Sequence, residues 1–142
     1  MLVAFVCMGN ICRSPMAEAF AAEYQAVPGV VFTSAGTTTP GGWTVAESTV
    51  RAMASVGIDV SGHMSRSLEE VMADNPDRIY VMTQLQQRSV AAAYPGYRDR
   101  VVMLDPAGVD IEDPYGEEIA TYTRVCSIIE AAVAARAVEW SS

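Results

Sequence analysis

The chain has 142 residues, 51% of them hydrophobic, so it is long enough to bury a substantial core and too apolar to be disordered. Its 17 acidic residues outnumber its nine arginines, and the net charge of -8 argues against a general binder of nucleic acids or anionic membranes. No apolar run is long enough to span a membrane or to act as a signal peptide, and three cysteines, an odd number, favour a reducing compartment. We therefore expect one cytoplasmic domain over residues 1–142.

The first half of the chain alternates between predicted strands and helices. Short apolar runs predict strands at residues 2–6 and 30–34. Between them, residues 15–25 are predicted to form a helix that packs inward through Met16, Ala19, Phe20 and Ala22. A loop at residues 37–44 precedes a second helix, which Gly57 is expected to end. The apolar face of this second helix is formed by Val50, Met53 and Ala54.

The second half continues the same alternation. Capping-box patterns at Ser67 and Thr83 each predict the start of a helix, and residues 78–82 and 100–104 read as strands. A long helix is predicted from about Glu117, with one apolar stripe made of Ile119, Tyr122, Cys126, Ile129 and Val133. Strands that alternate with helices predict an α/β fold of three layers, a four-stranded parallel sheet with helices on both faces.

Residues 7–13, between the first strand and the first helix, are the most informative segment and are termed the phosphate loop. In a parallel sheet, a ligand binds at the carboxyl ends of the strands, where this loop begins. Cys7 and Arg13 lie six positions apart, which suits a nucleophile at the floor of an anion trap and a guanidinium fork around phosphoryl oxygens. Gly9 and Asn10 tolerate the left-handed backbone of a tight loop, and Pro15 suits a first helical turn.

Other polar residues have candidate roles that the sequence alone leaves open. Ser14 is a candidate helix cap and also a candidate donor to the Cys7 thiolate. Phosphoryl transfer needs an acid for the leaving oxygen, and the single histidine, His63, is a weak candidate. The acidic segment at residues 105–113 offers several carboxylates, and composition does not choose among Asp105, Asp110, Glu112 and Asp113.

The segment at residues 6–15 resembles the signature of the low-molecular-weight protein tyrosine phosphatases. The resemblance continues through residues 34–37, through Gly57 and Ile58 with His63 and Arg66, and through residues 111–115. It implies that Cys7 forms a cysteinyl-phosphate, that Arg13 clamps the phosphoryl group and that Asp113 is the general acid and base. No metal or cofactor is expected. The remaining phosphate-loop and supporting residues are Met8, Gly9, Asn10, Ile11, Cys12, Ser14 and His63.

Two cysteines have secondary interpretations. In the family that the chain resembles, the residue matching Cys12 can pair reversibly with the catalytic cysteine and protect it from peroxide. Its plainer alternative is a small packing residue. Cys126 lies on the apolar stripe of the last helix and is expected to belong to the core.

The resemblance also leaves a choice of substrate. One branch of the family acts on phosphotyrosine and another on phosphoarginine; the arginine branch usually has Thr where this chain has Ile11. With Trp43 and Tyr115 as further walls of the pocket, tyrosine is favoured and arginine is the alternative. Arsenate reductase is less favoured, because its thiol relay needs further cysteines. The expected partners are a phosphorylated protein or peptide and inorganic phosphate, with no nucleic acid or membrane, and the chain is expected to be a monomer or weak dimer.

Overall fold

A single parallel sheet of four strands organises the structure, a computed structural model in which residues 1–140 are described. The spatial order is β2-β1-β3-β4, so the first strand lies inside the sheet and its loop opens between two neighbouring strands. The bounds are Leu2–Cys7 for β1, Val31–Gly36 for β2, Arg78–Val81 for β3 and Val101–Met103 for β4.

Within the described residues, five α-helices cover the two faces of this sheet. Side chains alternate along β1, so Val3 and Phe5 join the core under α1, α2 and α5, whereas Ala4 and Val6 join the core under α3 and α4. The three-layer α/β prediction is thus confirmed. The helices are α1 (Arg13–Tyr24), α2 (Glu47–Ala54), α3 (Leu68–Met72), α4 (Gln84–Ala93) and α5 (Ile119–Arg136).

Local sequence signals located α3 and α4 well. The Ser67 hydroxyl accepts a hydrogen bond from the Glu70 amide, and the Thr83 hydroxyl accepts one from the Gln86 amide, as the capping-box patterns predicted. The predicted inner faces of α1 and α2 were partly wrong. Ala22 and Ala54 are exposed, because packing of both helices against α5 turns other small residues inward. Those buried residues are Ala17, Ala21 and Ala52.

The end of the described chain closes an aromatic cluster that sequence patterns did not predict. Trp140 is buried edge-on against Phe5, Phe32 and Tyr80. The Trp140 indole donates to the Tyr80 hydroxyl, which donates to Glu139, and burial raises the pKa of Tyr80 to about 12. Within residues 1–140, no helix is long and apolar enough to cross a membrane.

Candidate active site

A cleft of about 670 Å³ lies at the carboxyl end of β1 and brings together residues from distant parts of the chain. The phosphate loop forms its floor, and the wall on one side comes from the segment after β2. The other side comes from the acid loop, residues 105–118, which joins β4 to α5. The lining residues are Cys7, Met8, Gly9, Ile11, Cys12, Arg13, Thr38, Gly42, Trp43, Thr44, Asp113 and Tyr115.

The carbonyl groups of the phosphate loop accept hydrogen bonds from the surrounding protein. The Cys7 and Met8 carbonyls accept from the amides of residues 37 and 38, at 3.0 Å each. The Ile11 carbonyl accepts from the Ala46 amide at 3.1 Å. Because C=O and N–H point in opposite directions across a trans peptide, these bonds turn the loop amides away from the protein and toward the cleft. The floor therefore presents N–H donors to an anion.

Asn10 anchors the phosphate loop through hydrogen bonds of its buried side chain. It is fully buried and adopts a left-handed backbone, with φ of 57°. Its side-chain amide donates to the hydroxyls of Ser14 at 2.7 Å and Ser34 at 2.9 Å, and its side-chain oxygen accepts from the Arg66 amide at 2.9 Å. Of the two loop residues that tolerate a left-handed backbone, Asn10 adopts one and Gly9 does not.

The end of β2 approaches the phosphate loop so closely that it admits no side chain. A Cβ atom on Gly36 would lie 2.7 Å from the Met8 carbonyl oxygen, well inside van der Waals contact. The matched sequence segment at residues 34–37 is thus explained by its position, since it supplies both this glycine and the Ser34 hydroxyl that holds Asn10.

Ser14 lies beside the sulfur of Cys7, with Oγ and Sγ 3.0 Å apart. The Ser14 oxygen accepts from Asn10, and its own proton has two acceptors within reach, the Ala35 carbonyl at 3.4 Å and the nearer Cys7 sulfur. Ser14 is not the cap of α1: the helix begins at Arg13, two residues before the predicted start, and Cys12 is the capping residue. The serine therefore lies in the first helical turn, where it faces Cys7.

Arg13 is buried, with only 3% of its surface exposed, which excludes a surface role. One terminal nitrogen, Nη1, donates to the Ile111 carbonyl at 2.8 Å, and Nη2 lies 3.7 Å from the Asp113 carboxylate. Its Nε is buried and has no protein partner within residues 1–140. A buried cation with an unused donor beside a floor of amides is suited to a phosphoryl group.

Of the four acidic candidates, Asp113 is the one that lines the cleft. Asp105 accepts from the Ala107 amide in its own turn, and Asp110 accepts from the amide of Gln84 at the start of α4. Glu112 pairs with Arg124 on α5. Asp113 is 40% exposed, and its Oδ1 accepts from the Tyr115 amide at 3.0 Å in its own turn.

His63 lies behind the floor of the cleft, whereas Cys12 is one of the residues that line it. The His63 ring nitrogen Nε2 contacts the Asn10 carbonyl oxygen at 3.1 Å, so the histidine braces the loop rather than the cleft. The Cys12 sulfur lies 3.7 Å from the Tyr122 hydroxyl, and burial raises the pKa of this thiol. Cys126 is buried against Met53, as expected for a core residue. Within residues 1–140, no group of three or more His, Cys, Asp or Glu side chains is arranged to hold a metal.

The walls of the cleft are apolar and stand open to solvent. Ile11 lines the cleft, as do Trp43 and Tyr115, which are 43% and 64% exposed. Sequence reasoning missed Thr38, whose hydroxyl donates to the Met8 carbonyl, and assigned no role to Ser34. The buried hydroxyl at the end of β2 was a usable signal for Ser34, whereas Thr38 carries no local pattern.

Comparisons with known proteins agree with this geometry. The family model for low molecular weight phosphotyrosine protein phosphatase matches residues 2–139. A probable low molecular weight protein-tyrosine-phosphatase from Ralstonia solanacearum is 37% identical over 129 residues, which are 90% of this chain and 88% of that protein.

Two solved structures share the whole fold. The low molecular weight protein tyrosine phosphatase from T. tengcongensis superposes with a TM-score of 0.84 and 34% identity over 94% of this chain and 95% of its own. The arginine phosphatase from Geobacillus stearothermophilus superposes with a TM-score of 0.90 and 28% identity over 98% of this chain and 92% of its own. The chain belongs to the low molecular weight phosphotyrosine protein phosphatase family.

Proposed function

We propose that this chain hydrolyses phosphate monoesters of protein tyrosine residues through a cysteinyl-phosphate intermediate. The observation that carries the proposal is the convergence of Cys7, Arg13 and Asp113 on one cleft that has apolar walls. A site that only bound phosphate would need the loop amides and Arg13, and would have no use for a buried sulfur facing an acid.

In the first step, the Cys7 sulfur attacks phosphorus, an S–P bond forms and the ester P–O bond breaks. The Asp113 carboxyl gives its proton to the leaving phenolic oxygen. The loop amides and the Arg13 guanidinium stabilise the charge that spreads over the three equatorial oxygens. These donors are fixed before substrate arrives. Asn10 and the hydrogen bonds that the loop carbonyls accept from the surrounding protein hold the loop in shape.

In the second step, water attacks the same phosphorus and the S–P bond breaks. Asp113, now a carboxylate, takes a proton from that water, and inorganic phosphate is released. The sulfur leaves as a thiolate, and the Ser14 hydroxyl at 3.0 Å donates a hydrogen bond that stabilises it. No metal or cofactor takes part in this proposal, since the positive charge is supplied by Arg13 and the amides.

The walls favour tyrosine as the phosphorylated residue. When the phosphate of a phosphotyrosine lies on the phosphate loop, its phenyl ring extends past Ile11 toward the exposed aromatic faces of Trp43 and Tyr115. A phosphoarginine side chain is flexible and polar next to its phosphate, and Ile11 offers it no hydrogen-bond partner. Arginine phosphatase activity is the second candidate, supported by the similarity of this fold to the Geobacillus enzyme.

A thiol relay of the arsenate reductase kind is disfavoured by the third cysteine. Cys126 lies on the buried face of α5 against Met53, and burial raises its pKa to about 11. A thiol held in this way is poorly placed to attack a disulfide in the cleft.

The proposal is tested by kcat/KM on matched peptides that carry phosphotyrosine or phosphoarginine. We expect a clear preference for phosphotyrosine, and we expect Cys7→Ser to abolish turnover of both. A clear preference for phosphoarginine would transfer the assignment to the second candidate. Activity that survives in Cys7→Ser would overturn the mechanism itself.

The role of Ile11 has its own test. Ile11→Thr is expected to move the kcat/KM ratio toward phosphoarginine by about tenfold, because a hydroxyl replaces part of an apolar wall. Ile128→Thr, which changes an exposed isoleucine on α5, is the matched control and should leave the ratio unchanged. An unchanged ratio in Ile11→Thr would show that substrate choice is made elsewhere in the cleft.

The organisation of the protein completes the proposal. We infer one domain over residues 1–142, acting in the cytoplasm as a monomer or weak dimer on phosphorylated proteins. The single sheet with its two flanking cores supports one domain, although Ser141 and Ser142 lie outside the described residues. Sedimentation and fractionation of the intact protein test the oligomeric state and the location.

A further inference from the structure

Residues 63–66 touch two different parts of the cleft. On one side they hold the floor, because His63 contacts the Asn10 carbonyl and the Arg66 amide donates to the Asn10 side chain. On the other side they hold the wall, because the Ser65 amide donates to the Trp43 carbonyl at 2.8 Å. Residues 63–66 therefore tie the floor to the wall, in addition to the direct hydrogen bonds from residues 37, 38 and 46 to the phosphate loop.

The Ser65 side chain makes hydrogen bonds that have no part in the proposed mechanism. It is buried, with 3% of its surface exposed. Its hydroxyl oxygen accepts a hydrogen bond from the Trp43 amide at 2.8 Å and lies 2.8 Å from the Thr39 hydroxyl. The Thr39 oxygen in turn accepts from the Gly41 amide at 3.0 Å. One buried serine thus fixes both ends of the turn that leads into Trp43.

This turn has little stiffness of its own. Gly41 and Gly42 adopt left-handed backbones, with φ of 103° and 82°, and glycine is the residue that is least restricted in that region. Trp43 is 43% exposed, so core packing holds its ring only in part. The ring lies beside Gly9 of the phosphate loop, and the hydrogen bonds to Ser65 hold the backbone that carries it.

We propose that Ser65 is a positioning residue that sets the height of the Trp43 wall above the phosphate loop and so selects aromatic phosphate esters. The inference rests on the proposed function, since it assigns one determinant of substrate choice at the same cleft. Ser65 acts through Trp43 and touches no reacting group. Inorganic phosphate has no ring that could contact the wall, so its binding should not depend on Ser65, which separates the two effects.

Ser65→Ala is the decisive change. It keeps the two backbone hydrogen bonds between the segments, from the Ser65 amide to Trp43 and from the Gly42 amide to the Ser65 carbonyl. It removes the acceptor of the Trp43 amide and the partner of Thr39. With these two hydrogen bonds lost, we expect KM for p-nitrophenyl phosphate to rise about three- to tenfold, with kcat within about twofold. The inhibition constant of inorganic phosphate should not change.

A double-mutant cycle tests whether Ser65 acts through Trp43. Adding Ser65→Ala to Trp43→Ala should raise KM no further, because the wall is already absent. Ser127→Ala, an exposed serine on α5, is the matched control and should leave all constants unchanged. Thr39→Val removes the other half of the hydroxyl pair and should raise KM in the same direction by a smaller factor.

A measurement without turnover keeps this inference separate from the proposed function. In protein labelled with 5-fluorotryptophan, Ser65→Ala should shift or broaden the fluorine resonance of Trp43 and leave that of buried Trp140 unchanged. A wild-type protein inactive on aryl phosphates would overturn the proposed function, whereas an unmoved Trp43 resonance would overturn the role of Ser65. A parallel rise in the phosphate inhibition constant, or the same rise of KM without Trp43, would also overturn it.

Discussion

The phosphate loop and the acid loop lie on opposite sides of one cleft and are built in different ways. The phosphate loop is held by hydrogen bonds to its carbonyls and to Asn10, which come from Ser34 on β2, from the segment between β2 and α2, and from residues 63–66. The acid loop presents Asp113 and Tyr115 at 40% and 64% exposure. Stabilising charge on a phosphoryl group requires donors that are already in place, whereas delivering a proton and releasing product require access to solvent.

The two loops meet at one anchored residue. Ile111 is buried, its amide donates to the Met82 carbonyl at 2.9 Å, and its carbonyl accepts from Arg13 at 2.8 Å. Asp113 follows two residues later, so the acid starts from a fixed point although its carboxylate is exposed. Arg13 therefore links both loops, since it anchors the acid loop through Ile111 and is the proposed clamp of the phosphate loop.

The largest effect is expected from the acid itself. Asp113→Asn should lower kcat on a phosphotyrosine peptide by about 10²–10⁴-fold, because the leaving phenolate then receives no proton. The loss should be smaller on p-nitrophenyl phosphate, whose leaving group needs less protonation. Asp105→Asn alters a turn in the same loop and should stay within about twofold. Equal losses on both substrates would contradict an acid role for Asp113.

Asn10→Ala tests the rigidity of the phosphate loop and should lower kcat/KM by roughly 10–100-fold, since several buried bonds disappear. Asn75 is a matched control, because it too has a left-handed backbone, with φ of 56°, and its side-chain oxygen accepts hydrogen bonds from Tyr97 and Arg100. Asn10→Ala and Asn75→Ala should both lower the melting temperature, and only Asn10→Ala should lower the activity. Equal activity in the two variants would contradict the claim that catalysis depends on the rigidity of the phosphate loop.

The two cysteines of the phosphate loop should differ in reactivity. Burial raises the pKa of Cys12, so this group stays protonated at neutral pH, and its thiolate appears only as pH rises above the ordinary value of a thiol. At pH 7, iodoacetamide should therefore modify Cys7 at least about tenfold faster than Cys12 or Cys126, and inorganic phosphate should slow the Cys7 reaction. Mass mapping of partly alkylated protein gives the order, and faster labelling of Cys12 would contradict it.

The smallest effect is expected from the exposed edge of the acid loop. Glu112 pairs with Arg124 at 2.7 Å, and both side chains are about half exposed. Exposed ion pairs contribute little to stability and are screened by salt, so Glu112→Gln should change kcat/KM by less than about twofold. Steady-state kinetics at low and high salt measure this change. A tenfold loss would mean that the acid loop is as tightly held as the phosphate loop.

Much of the fold could be predicted from the sequence, because its signals are local. Ser67 and Thr83 marked helix starts through capping chemistry, and the stripe through Tyr122, Cys126 and Ile129 marked a buried helix face. The misses came from tertiary contacts. Ala22 and Ala54 face solvent because of how α1 and α2 meet α5, and Trp140 is buried by residues far away in the sequence.

The residues of the site also divide into those with a local sequence signal and those placed by tertiary contacts. Cys7 and Arg13 were singled out as candidates from one loop, because the proposed nucleophile and its phosphate clamp share a short motif. The residues alone left Asp105, Asp110, Glu112 and Asp113 equivalent, and the resemblance singled out Asp113, which the fold places in the cleft. Ser65 had no local signal, since its hydroxyl acts on Trp43, 22 residues away.

The central claim is that Cys7 carries the phosphoryl group during turnover, and trapping that group tests it most directly. Rapid quenching during hydrolysis of a phosphotyrosine peptide, followed by peptide mass spectrometry, should find phosphate on Cys7. It should find none on Cys12 or Cys126, and none anywhere in Cys7→Ser. Turnover with no phosphorylated Cys7, or with phosphate on another residue, would contradict the account.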